Sequence, residues 1–556
     1  MKNLILLFFV FSCSNVFSQA DLIFYNGRVW TGENEKSFAE AVAIKGNKIW
    51  SVGTSTEIIK LGNDNTEKID LNGKLLMAGF NDAHIHFLSG SLLLSEVMAF
   101  DAKSLQQVQQ LVVDYAARNP SRPWITGRGW LYDLPGFGGS MPTKQMLDVV
   151  EPDRPVFLKA YDGHTAWANS KALMLAGIDK NFTYNGYGEV LRDASGEPTG
   201  ILTENAMDLI ARVVPKPTQH EKLSAMRMGF NLISSLGITS LQNASGSPEE
   251  VALYEELLRN NDLTSRVSAA FSITAQTSEA DIVNYSKIKK AVGKNPMLSA
   301  GAVKFVSDGV IESHTAAMLE PYSNTPATLG NLSIPQEVYE KLVIRFDKEG
   351  FQIYTHAIGD RAVRTALDAY EKAKKVNRTT DRRHRVEHIE TINPADLPRF
   401  AQLGVMASME PIHADPGTIE VWEKAIGEKR LPNSFAWAAL LKAGAHLVYS
   451  SDWPAAISLD PIRGIHVAVN RSTPEGKPVG GWIPEQKISM VEALKAYTQG
   501  GAYSSFEEKT KGKVLPGYLA DVIVLSENLF TLNPMDVYKT KVVQTVMDGK
   551  VVYRAK

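Results

Sequence analysis

The sequence predicts an α/β fold in which a (β/α)8 TIM barrel carries two additions. These are a small composite β-sandwich, built from both chain ends, and an insertion subdomain after the first barrel strand. Eight candidate strands alternate with helical stretches along the middle of the chain, as in a parallel barrel. At both ends of the chain, short apolar runs separated by turn residues predict β-strands without helices. Residues 76–500 also exceed the about 250 residues of a plain barrel, which predicts the insertion.

Residues 1–18 have the pattern of a secretory signal peptide. Lys2 supplies a positive charge, residues 4–11 form an apolar run, and residues 16–18 (VFS) resemble a small-x-small cleavage site. The run is shorter than the about 20 residues of a membrane-spanning helix. We therefore expect an exported protein, periplasmic or secreted; the alternative is a lipoprotein anchored through an acylated Cys13.

The two ends of the mature chain predict β-strands alone. Residues 19–75 alternate short apolar runs with turn signals, and residues 45–47 (KGN) mark a tight hairpin. Residues 505–556 have the same alternation of apolar runs and turn signals, with a second hairpin turn at residues 548–549 (DG). We expect the N-terminal and C-terminal parts to form one β-sandwich.

Residues 76–500 predict the barrel. The eight strand candidates are residues 76–86, 238–243, 266–273, 301–308, 352–357, 384–389, 404–410 and 446–452. Helical stretches lie between most of them, and in residues 359–375 apolar side chains recur at helical spacing. Ser247 and Pro248 predict a helix start, with Glu250 as the capping-box partner.

The surplus length falls mainly between the first two strands, at about residues 88–220. This stretch has its own turn signals and contains Trp124, Trp130 and Trp167. Because the active sites of such barrels lie at the carboxyl ends of the strands, we expect a subdomain over the barrel mouth that supplies substrate contacts.

Composition excludes several classes of function. The 556 residues include 59 basic and 61 acidic residues, so the formal net charge is −2. We therefore expect neither nucleic acid nor an anionic membrane as a partner, and no later stretch predicts a transmembrane segment. One Cys against eleven His excludes a thiolate metal site, so any metal ligands must be His, Asp, Glu or an unusual group.

Six titratable residues fall at the ends of predicted barrel strands. They are His84 and His86 in the first strand, Lys304 in the fourth, His356 in the fifth, His388 in the sixth and Asp452 in the eighth. Alone, each has an ordinary interpretation: a surface histidine pair, a lysine that reaches solvent, or an aspartate in a turn. Together they predict a shared metal ion, because burying so many titratable groups without one is very costly.

The segments around these residues narrow the prediction. GAVKFVSDG, AIGDRAV, HRVEHIE and SSDWP, with the order HxH, Lys, His, His, Asp, resemble the amidohydrolase superfamily. They are similar to its family 3 branch, the YtcJ-like metal-dependent hydrolases that include N-substituted formamide deformylases. The resemblance covers nearly the whole mature chain, including the segment DGHTAWANSKAL in the insertion.

The resemblance implies two divalent metal ions, with zinc as the expected metal. His84, His86 and Asp452 match the ligands of the first, more buried ion. His356 and His388 match the ligands of the second ion.

The resemblance gives Lys304 and Asp452 chemical roles. Lys304 matches a bridging ligand that reacts with carbon dioxide to form a carbamate, and Asp452 matches the general base and acid. Only a neutral amine can be carboxylated, and burial lowers the pKa of a lysine toward neutrality. A one-metal site with an unmodified Lys304 is the alternative.

Four further residues are candidate substrate contacts. They are His164 and Trp130 in the insertion, His314 after the fourth strand and His413 after the seventh. A cap hydrogen bond is the alternative for His164, and a place in the insertion core is the alternative for Trp130. By strand alternation, His384 should also point inward, deeper in the barrel than the ligands.

These observations predict a metal-dependent hydrolase of a small molecule, of the class that acts on carbon–nitrogen bonds other than peptide bonds. The expected substrate is an amide with an N-acyl or N-formyl group, cleaved by metal-activated water with Asp452 as base and acid. A lactone, ester or phosphoester hydrolase is one alternative, and a non-catalytic metal-containing binding protein is another. The sequence leaves a homo-oligomer open.

Overall fold

The computed structural model describes residues 19–161, 164–186, 188–293 and 295–556. The predicted signal peptide, with Cys13, lies outside these residues. No helix in the described ranges has both the length and the apolar character needed to pass through a membrane.

The chain begins with short strands that belong to two sheets. The elements are β1 (Leu22–Tyr25), β2 (Arg28–Trp30), β3 (Phe38–Ala39), β4 (Ala41–Lys45), β5 (Lys48–Gly53), α1 (Ser55–Ile59), β6 (Glu67–Asp70) and β7 (Leu75–Ala78). One sheet has the strand order β5-β4-β1-β6. The predicted hairpin is confirmed, since Lys45 pairs with Lys48 across the turn. Gly46 has a φ of 54° in this turn, a backbone conformation that favours glycine.

The first barrel strand, β8 (Phe80–Ile85), leads into the insertion. The elements that follow are α2 (Phe87–Leu93), β9 (Val97–Met98), α3 (Leu105–Arg118), β10 (Ile125–Trp130), α4 (Lys144–Asp148), β11 (Val156–Ala160), β12 (Thr165–Ala168), α5 (Ser170–Leu175), β13 (Val190–Arg192), β14 (Pro198–Thr203) and α6 (Asp208–Ala211). Strands β9 to β14 form one sheet in the order β13-β14-β12-β11-β10-β9. Trp130 and Trp167 are fully buried in a cluster with side chains of α3, so the insertion has a core of its own.

Seven further strands complete the barrel, separated by helices. In chain order the elements are α7 (Gln219–Ser235), β15 (Ile238–Gly246), α8 (Pro248–Arg259), β16 (Arg266–Ile273), α9 (Glu279–Val292), β17 (Leu298–Val306), α10 (Gln336–Lys348), β18 (Gln352–Ala357), α11 (Asp360–Asn377), β19 (Arg385–His388), α12 (Leu397–Leu403), β20 (Met406–Met409), α13 (Glu420–Ile426), α14 (Trp437–Lys442), β21 (His446–Tyr449), α15 (Pro461–Asn470), α16 (Met490–Lys495) and α17 (Gly501–Ser504). With β8 they form an eight-stranded parallel sheet in the order β21-β20-β19-β18-β17-β16-β15-β8.

Backbone hydrogen bonds join the two ends of this sheet. The amide of Asp452 donates to the carbonyl of His84 at 2.8 Å, and the amide of His86 donates to the carbonyl of Trp453 at 2.8 Å. The predicted (β/α)8 barrel is therefore confirmed. The same bonds fix the backbone that follows β21 against the end of β8, which places the first and eighth strands side by side.

Helix α8 begins where the sequence predicts, but its cap differs. The Ser247 hydroxyl accepts the amide of Glu250 at 3.2 Å, and Pro248 occupies the first turn. The Glu250 carboxylate does not return to the cap; it is buried and accepts the hydroxyl of Tyr254 at 3.2 Å. The predicted capping box is wrong because this side chain faces the protein interior.

The C-terminal strands complete the second sheet at the start of the chain. These strands are β22 (Val522–Leu525), β23 (Val542–Met547) and β24 (Lys550–Arg554), and the sheet order is β24-β23-β22-β7-β2-β3. Strand β22 pairs antiparallel with β7, and the predicted hairpin between β23 and β24 is confirmed. Arg266 of β16 donates to Asp521 at 2.7 and 2.9 Å, which ties this sheet to the barrel.

Candidate metal centre

The carboxyl ends of the barrel strands bring the six predicted ligands together. His84 lies on β8, Lys304 on β17, His356 on β18 and His388 on β19, while His86 and Asp452 follow β8 and β21. Parallel strands all end at the same mouth of the barrel, so residues far apart in sequence become neighbours there.

A first group forms around the carboxylate of Asp452. Nε2 of His86 lies 3.0 Å from its Oδ1, and Nε2 of His84 lies 3.4 Å from the same oxygen. Nζ of Lys304 lies 3.2 Å from Nε2 of His84. Three residues from the first and eighth strands thus meet the lysine of the fourth strand inside the barrel.

A second group forms around His388. Its ring centroid lies 4.5 Å from that of His356 and 4.9 Å from that of His84. Nε2 of His356 lies 3.3 Å from the carbonyl oxygen of Gly309, which leaves Nδ1 as its available ligand atom. His388 therefore links His356 of the second group to His84 of the first.

Two buried carboxylates hold the histidines in one tautomer. Nδ1 of His84 donates to Glu387 at 2.8 Å, and Nδ1 of His388 donates to Glu410 at 2.8 Å. A carboxylate on Nδ1 leaves the Nε2 lone pair for a metal and raises the basicity of the ligand. Neither carboxylate is among the candidate residues named from the sequence, although Glu387 adjoins His388 in HRVEHIE and Glu410 lies next to the seventh strand.

The end of β19 departs from simple strand alternation. His388 has a φ of 74°, so its side chain reaches the barrel interior although that of Glu387 also faces inward. The expectation that His384 points into the barrel is therefore wrong. Nε2 of His384 lies 3.1 Å from Asp347 of α10, and its ring packs against Tyr370 of α11.

The donor atoms at this site suit a divalent metal. In the described ranges, Nε2 of His388 is buried without a hydrogen-bond partner. Buried polar atoms are normally paired, so a free imidazole lone pair inside this cluster fits the binding of a divalent metal ion. Imidazole nitrogen and carboxylate oxygen are ligands that zinc and similar metals accept.

Burial and charge set the protonation states at the site. Burial lowers the pKa of the Lys304 ammonium, while Glu387 and Asp452 oppose this shift. Burial also places the pKa of His84 well below its ordinary value, which keeps its imidazole neutral. Burial opposes ionisation of Asp452, but its close electrostatic contacts with His84 and His86 and the positive charge of His413 hold the pKa of that carboxyl well below its usual range.

A cleft of about 270 Å³ opens onto the site. Its lining residues are Val310, Glu312, His356, Ile358, His388, Glu390, Ile412, His413, Thr418, Asp452, Ala455, Ala456 and Ile457. All of them belong to the barrel and the loops after its strands. Among the described residues of 88–220, none lines this cleft.

His413 is the one predicted substrate contact that lies in the cleft among the described residues. Its Nδ1 lies 3.3 Å from Glu390 and its Nε2 lies 3.6 Å from Oδ2 of Asp452. Burial opposes its protonation, but the hydrogen bond with Glu390 and the charge of Glu410 raise the pKa of His413 to about 9. His413 is therefore a cation beside the general base of the predicted mechanism.

The other three predicted substrate contacts lie elsewhere. Trp130 is fully buried in the insertion core, where its Nε1 donates to the carbonyl of Leu158 at 2.9 Å. His164 is largely exposed and lies 3.2 Å from Glu204 within the insertion. His314 bonds within its own loop, with Nε2 at 2.9 Å from the side chain of Asn324. Local packing thus accounts for all three side chains.

A family model described as "Amidohydrolase family" matches residues 67–553. The chain is 31% identical over 544 residues to the Arabidopsis thaliana Protein LONG AFTER FAR-RED 3, covering 96% of this chain and 92% of that protein. It is 29% identical to a putative amidohydrolase, YtcJ, of Bacillus subtilis (strain 168), covering 96% of this chain and 99% of that protein. It is 26% identical to the N-substituted formamide deformylase of Arthrobacter pascens, covering 96% of this chain and 98% of that protein.

Solved structures show the same architecture. An uncharacterized metal-dependent hydrolase from Pyrococcus furiosus superposes with a TM-score of 0.74 at 26% identity. The match covers 92% of this chain and 99% of that chain. The similarity therefore includes nearly all of the described fold.

Proposed function

The chain belongs to the amidohydrolase family, and from this premise we propose that it is a metal-dependent hydrolase that cleaves the carbon–nitrogen bond of a small N-acyl or N-formyl amide. The observation that carries the proposal is the meeting of six ligand residues at one mouth of the barrel. Two of the histidines have their Nδ1 atoms held by buried carboxylates, as metal-bound histidines commonly do.

We assign His84, His86 and Asp452 to one divalent metal and His356 and His388 to a second, with zinc as the expected metal. Divalent metals bound there supply Lewis acidity, which polarises a carbonyl group and acidifies water. The neutral state of the histidines fits this role, because only a neutral imidazole offers a lone pair.

Lys304 is the proposed bridge between the two ligand groups. Burial lowers the pKa of its ammonium, which favours the neutral amine that can react with carbon dioxide. The resulting carbamate would add two anionic oxygens to the site. An unmodified Lys304 beside a single metal is the competing arrangement.

Asp452 is the proposed proton carrier. Its Oδ1 faces His84 and His86, whereas its Oδ2 lies toward the cleft and His413. We assign Oδ2 the proton that leaves the attacking water as oxygen bonds to the carbonyl carbon. The same oxygen then delivers that proton to the leaving nitrogen as the carbon–nitrogen bond breaks, so a carboxylic acid and an amine are formed.

His413 is positioned to support this proton transfer. Its cationic ring stacks over that of His388, with centroids 5.7 Å apart, and Glu390 holds its Nδ1. A positive charge near Oδ2 of Asp452 favours the ionised carboxylate before the reaction starts. His413 therefore acts through Asp452 in this mechanism.

The substrate class rests on the similarity to the formamide deformylase, at 26% identity over nearly the whole chain. The test is a panel of N-formyl and N-acetyl amines, lactones, carboxylic esters and phosphotriesters, assayed with purified protein and added zinc. We expect turnover of formyl or acetyl amides and about two metal equivalents by elemental analysis. Faster turnover of lactones or phosphotriesters would replace the amide assignment, and full activity of a metal-free protein would refute the mechanism.

A further inference from the structure

We propose that Glu312 selects amide substrates that carry a positively charged ammonium group beside an apolar segment. This inference rests on the proposed function, and it names the substrate class of the same cleft. Glu312 lies on the loop after β17, eight residues beyond Lys304, and lines the cleft outside the predicted ligands.

The lining of the cleft combines apolar side chains with carboxylates. Its apolar side chains are Val310, Ile358, Ile412, Ala455, Ala456 and Ile457. Its carboxylates outside the ligand set are Glu312 and Glu390. Apolar contact area supports binding of a hydrocarbon segment, whereas the few polar groups of such a cleft set the orientation of the ligand.

Glu390 already has partners. Its Oε2 accepts the indole N–H of Trp422 at 2.7 Å, and its Oε1 lies 3.3 Å from Nδ1 of His413. The cationic His413 also faces Asp452. The one positive side chain among the described lining residues is therefore shared between Glu390 and Asp452.

Glu312 makes no ion pair with any described residue, and it is exposed to solvent at the cleft. The cleft lining desolvates its carboxyl in part. This desolvation and the negative charge of Glu390 raise the pKa of that carboxyl, while the positive charge of His413 opposes the shift. A carboxylate that is partly desolvated and repelled by its neighbour gains more from a cationic ligand than one in open water.

The two carboxylates therefore discriminate between ligand groups that come close to Glu312. There an anionic group would meet the repulsion of both Glu312 and Glu390, whereas an ammonium group would be attracted by the charge of Glu312. The fitting class is a small amide, such as a mono-N-acylated alkyl diamine, whose alkyl segment packs on the apolar side chains of the lining.

The activity test uses three formamides of matched length: N-formyl-1,4-diaminobutane, N-formylpentylamine and 5-formamidopentanoate. They carry an ammonium, a methyl and a carboxylate group at the same end. With zinc-loaded wild-type protein, we expect kcat/KM to favour the ammonium compound over the neutral one by about tenfold, mainly through KM. In Glu312→Gln, the kcat/KM values of the ammonium and methyl compounds should become equal, with kcat little changed. In Glu312→Lys, kcat/KM should be highest for the carboxylate compound.

Glu337→Gln is the matched control, because Glu337 is exposed on α10 and does not line the cleft. It should keep the wild-type order of the three formamides. An equal or higher kcat/KM for the neutral or anionic compound in wild type overturns the proposal. So does a preference for the ammonium compound that survives in Glu312→Gln.

A binding measurement separates this proposal from the proposed hydrolysis. Choline and 3,3-dimethylbutan-1-ol have the same shape but differ in charge, and a quaternary ammonium cannot coordinate a metal. Calorimetric titration should show choline binding about tenfold more tightly to wild type, with the difference lost in Glu312→Gln. If no amide is hydrolysed but this difference appears, the proposed function fails and the role of Glu312 stands. If choline has no advantage, the role of Glu312 fails whatever the amide assays show.

Discussion

Nδ1 of His84 donates to Oε2 of Glu387 across 2.8 Å, and both side chains are fully buried. The same carboxylate receives a bidentate ion pair from Arg385, at 2.7 Å to Oε1 and 3.0 Å to Oε2. Arg385 in turn lies over the ring of Tyr354 in the barrel interior. The orientation of the His84 ring is thus fixed by side chains of two other barrel strands, β18 and β19.

Glu387→Gln should weaken metal binding. A neutral amide can still accept from Nδ1, but it lowers the basicity of His84 and leaves Arg385 without its counter-charge. We expect metal affinity to fall by about 10–100-fold, measured by competition with a chromophoric chelator. Glu428→Gln, at an exposed position on a loop, is the control and should bind metal as wild type does. Unchanged affinity in Glu387→Gln would mean that His84 is not a ligand.

Asp452→Asn should remove most of the activity. The amide cannot take a proton from water, and loss of a general base costs about 10²–10⁴ in kcat. The measurement is kcat on the best amide substrate, together with metal content by elemental analysis. Retained metal with lost turnover supports the proton role, whereas lost metal would assign Asp452 mainly to metal binding. The control is Asp64→Asn, an exposed aspartate near the N-terminal sheets.

Removal of metal should lower both activity and stability. The carboxylates of Asp452, Glu387 and Glu410 each lie within 3.9 Å of the ring of His84. A metal that binds only the folded state stabilises it. We expect an apoprotein prepared with chelator to unfold at a lower temperature in calorimetry. At a free zinc concentration a thousandfold above Kd, bound metal should add about 4 kcal/mol to the free energy of unfolding. Zinc should restore both properties. An identical melting temperature with and without zinc contradicts a metal site in the folded protein.

Lys304 should carry a carbamate when metal is bound. Protein loaded with zinc and ¹³C-bicarbonate should give a carbamate carbonyl resonance in ¹³C NMR, because burial favours the neutral amine. Lys304→Arg should lack this resonance, since its guanidinium stays protonated. Lys304→Glu, which supplies a carboxylate without carbon dioxide, should retain more metal than Lys304→Arg. A resonance that persists in Lys304→Arg would place the modification on another lysine.

Arg266→Met should destabilise the protein strongly. Arg266 is buried and pairs with Asp521 at 2.7 Å and with Asp548 at 2.9 Å. Loss of one partner of a buried pair leaves an uncompensated charge and costs about 3–5 kcal/mol. Lys424→Met breaks an exposed pair with Glu420 and should leave the free energy of unfolding almost unchanged, because water and salt screen such a pair. Urea unfolding compares the two variants, and equal costs would contradict a structural role for the buried pair.

The barrel could be predicted from sequence because its signals are local. Apolar strand runs alternate with helices such as α11, and short range periodicity identifies both. The predicted ligands met at one mouth because the parallel topology brings every strand end to the same place. Glu387 and Glu410 could not be assigned in this way, since their histidine partners depend on which strands become neighbours.

The errors also have physical causes. His384 faces Asp347 because the positive φ of His388 breaks the strand alternation on which the prediction relied. Trp130 takes the alternative place in the insertion core, because packing within the insertion sets its orientation. The placement of an insertion relative to a barrel mouth depends on contacts between distant segments, which periodicity does not encode.

The sheet shared by both chain ends has a consequence for how the protein is made. Asn47 and Asp548 are hydrogen-bonded across 501 positions of sequence, and β7 pairs with β22 just before the barrel begins. During translation, the N-terminal strands leave the ribosome first and must wait for the last ones before this sheet can close. The growing chain therefore exposes an unpaired strand edge for nearly the whole of synthesis, a state in which aggregation competes with folding.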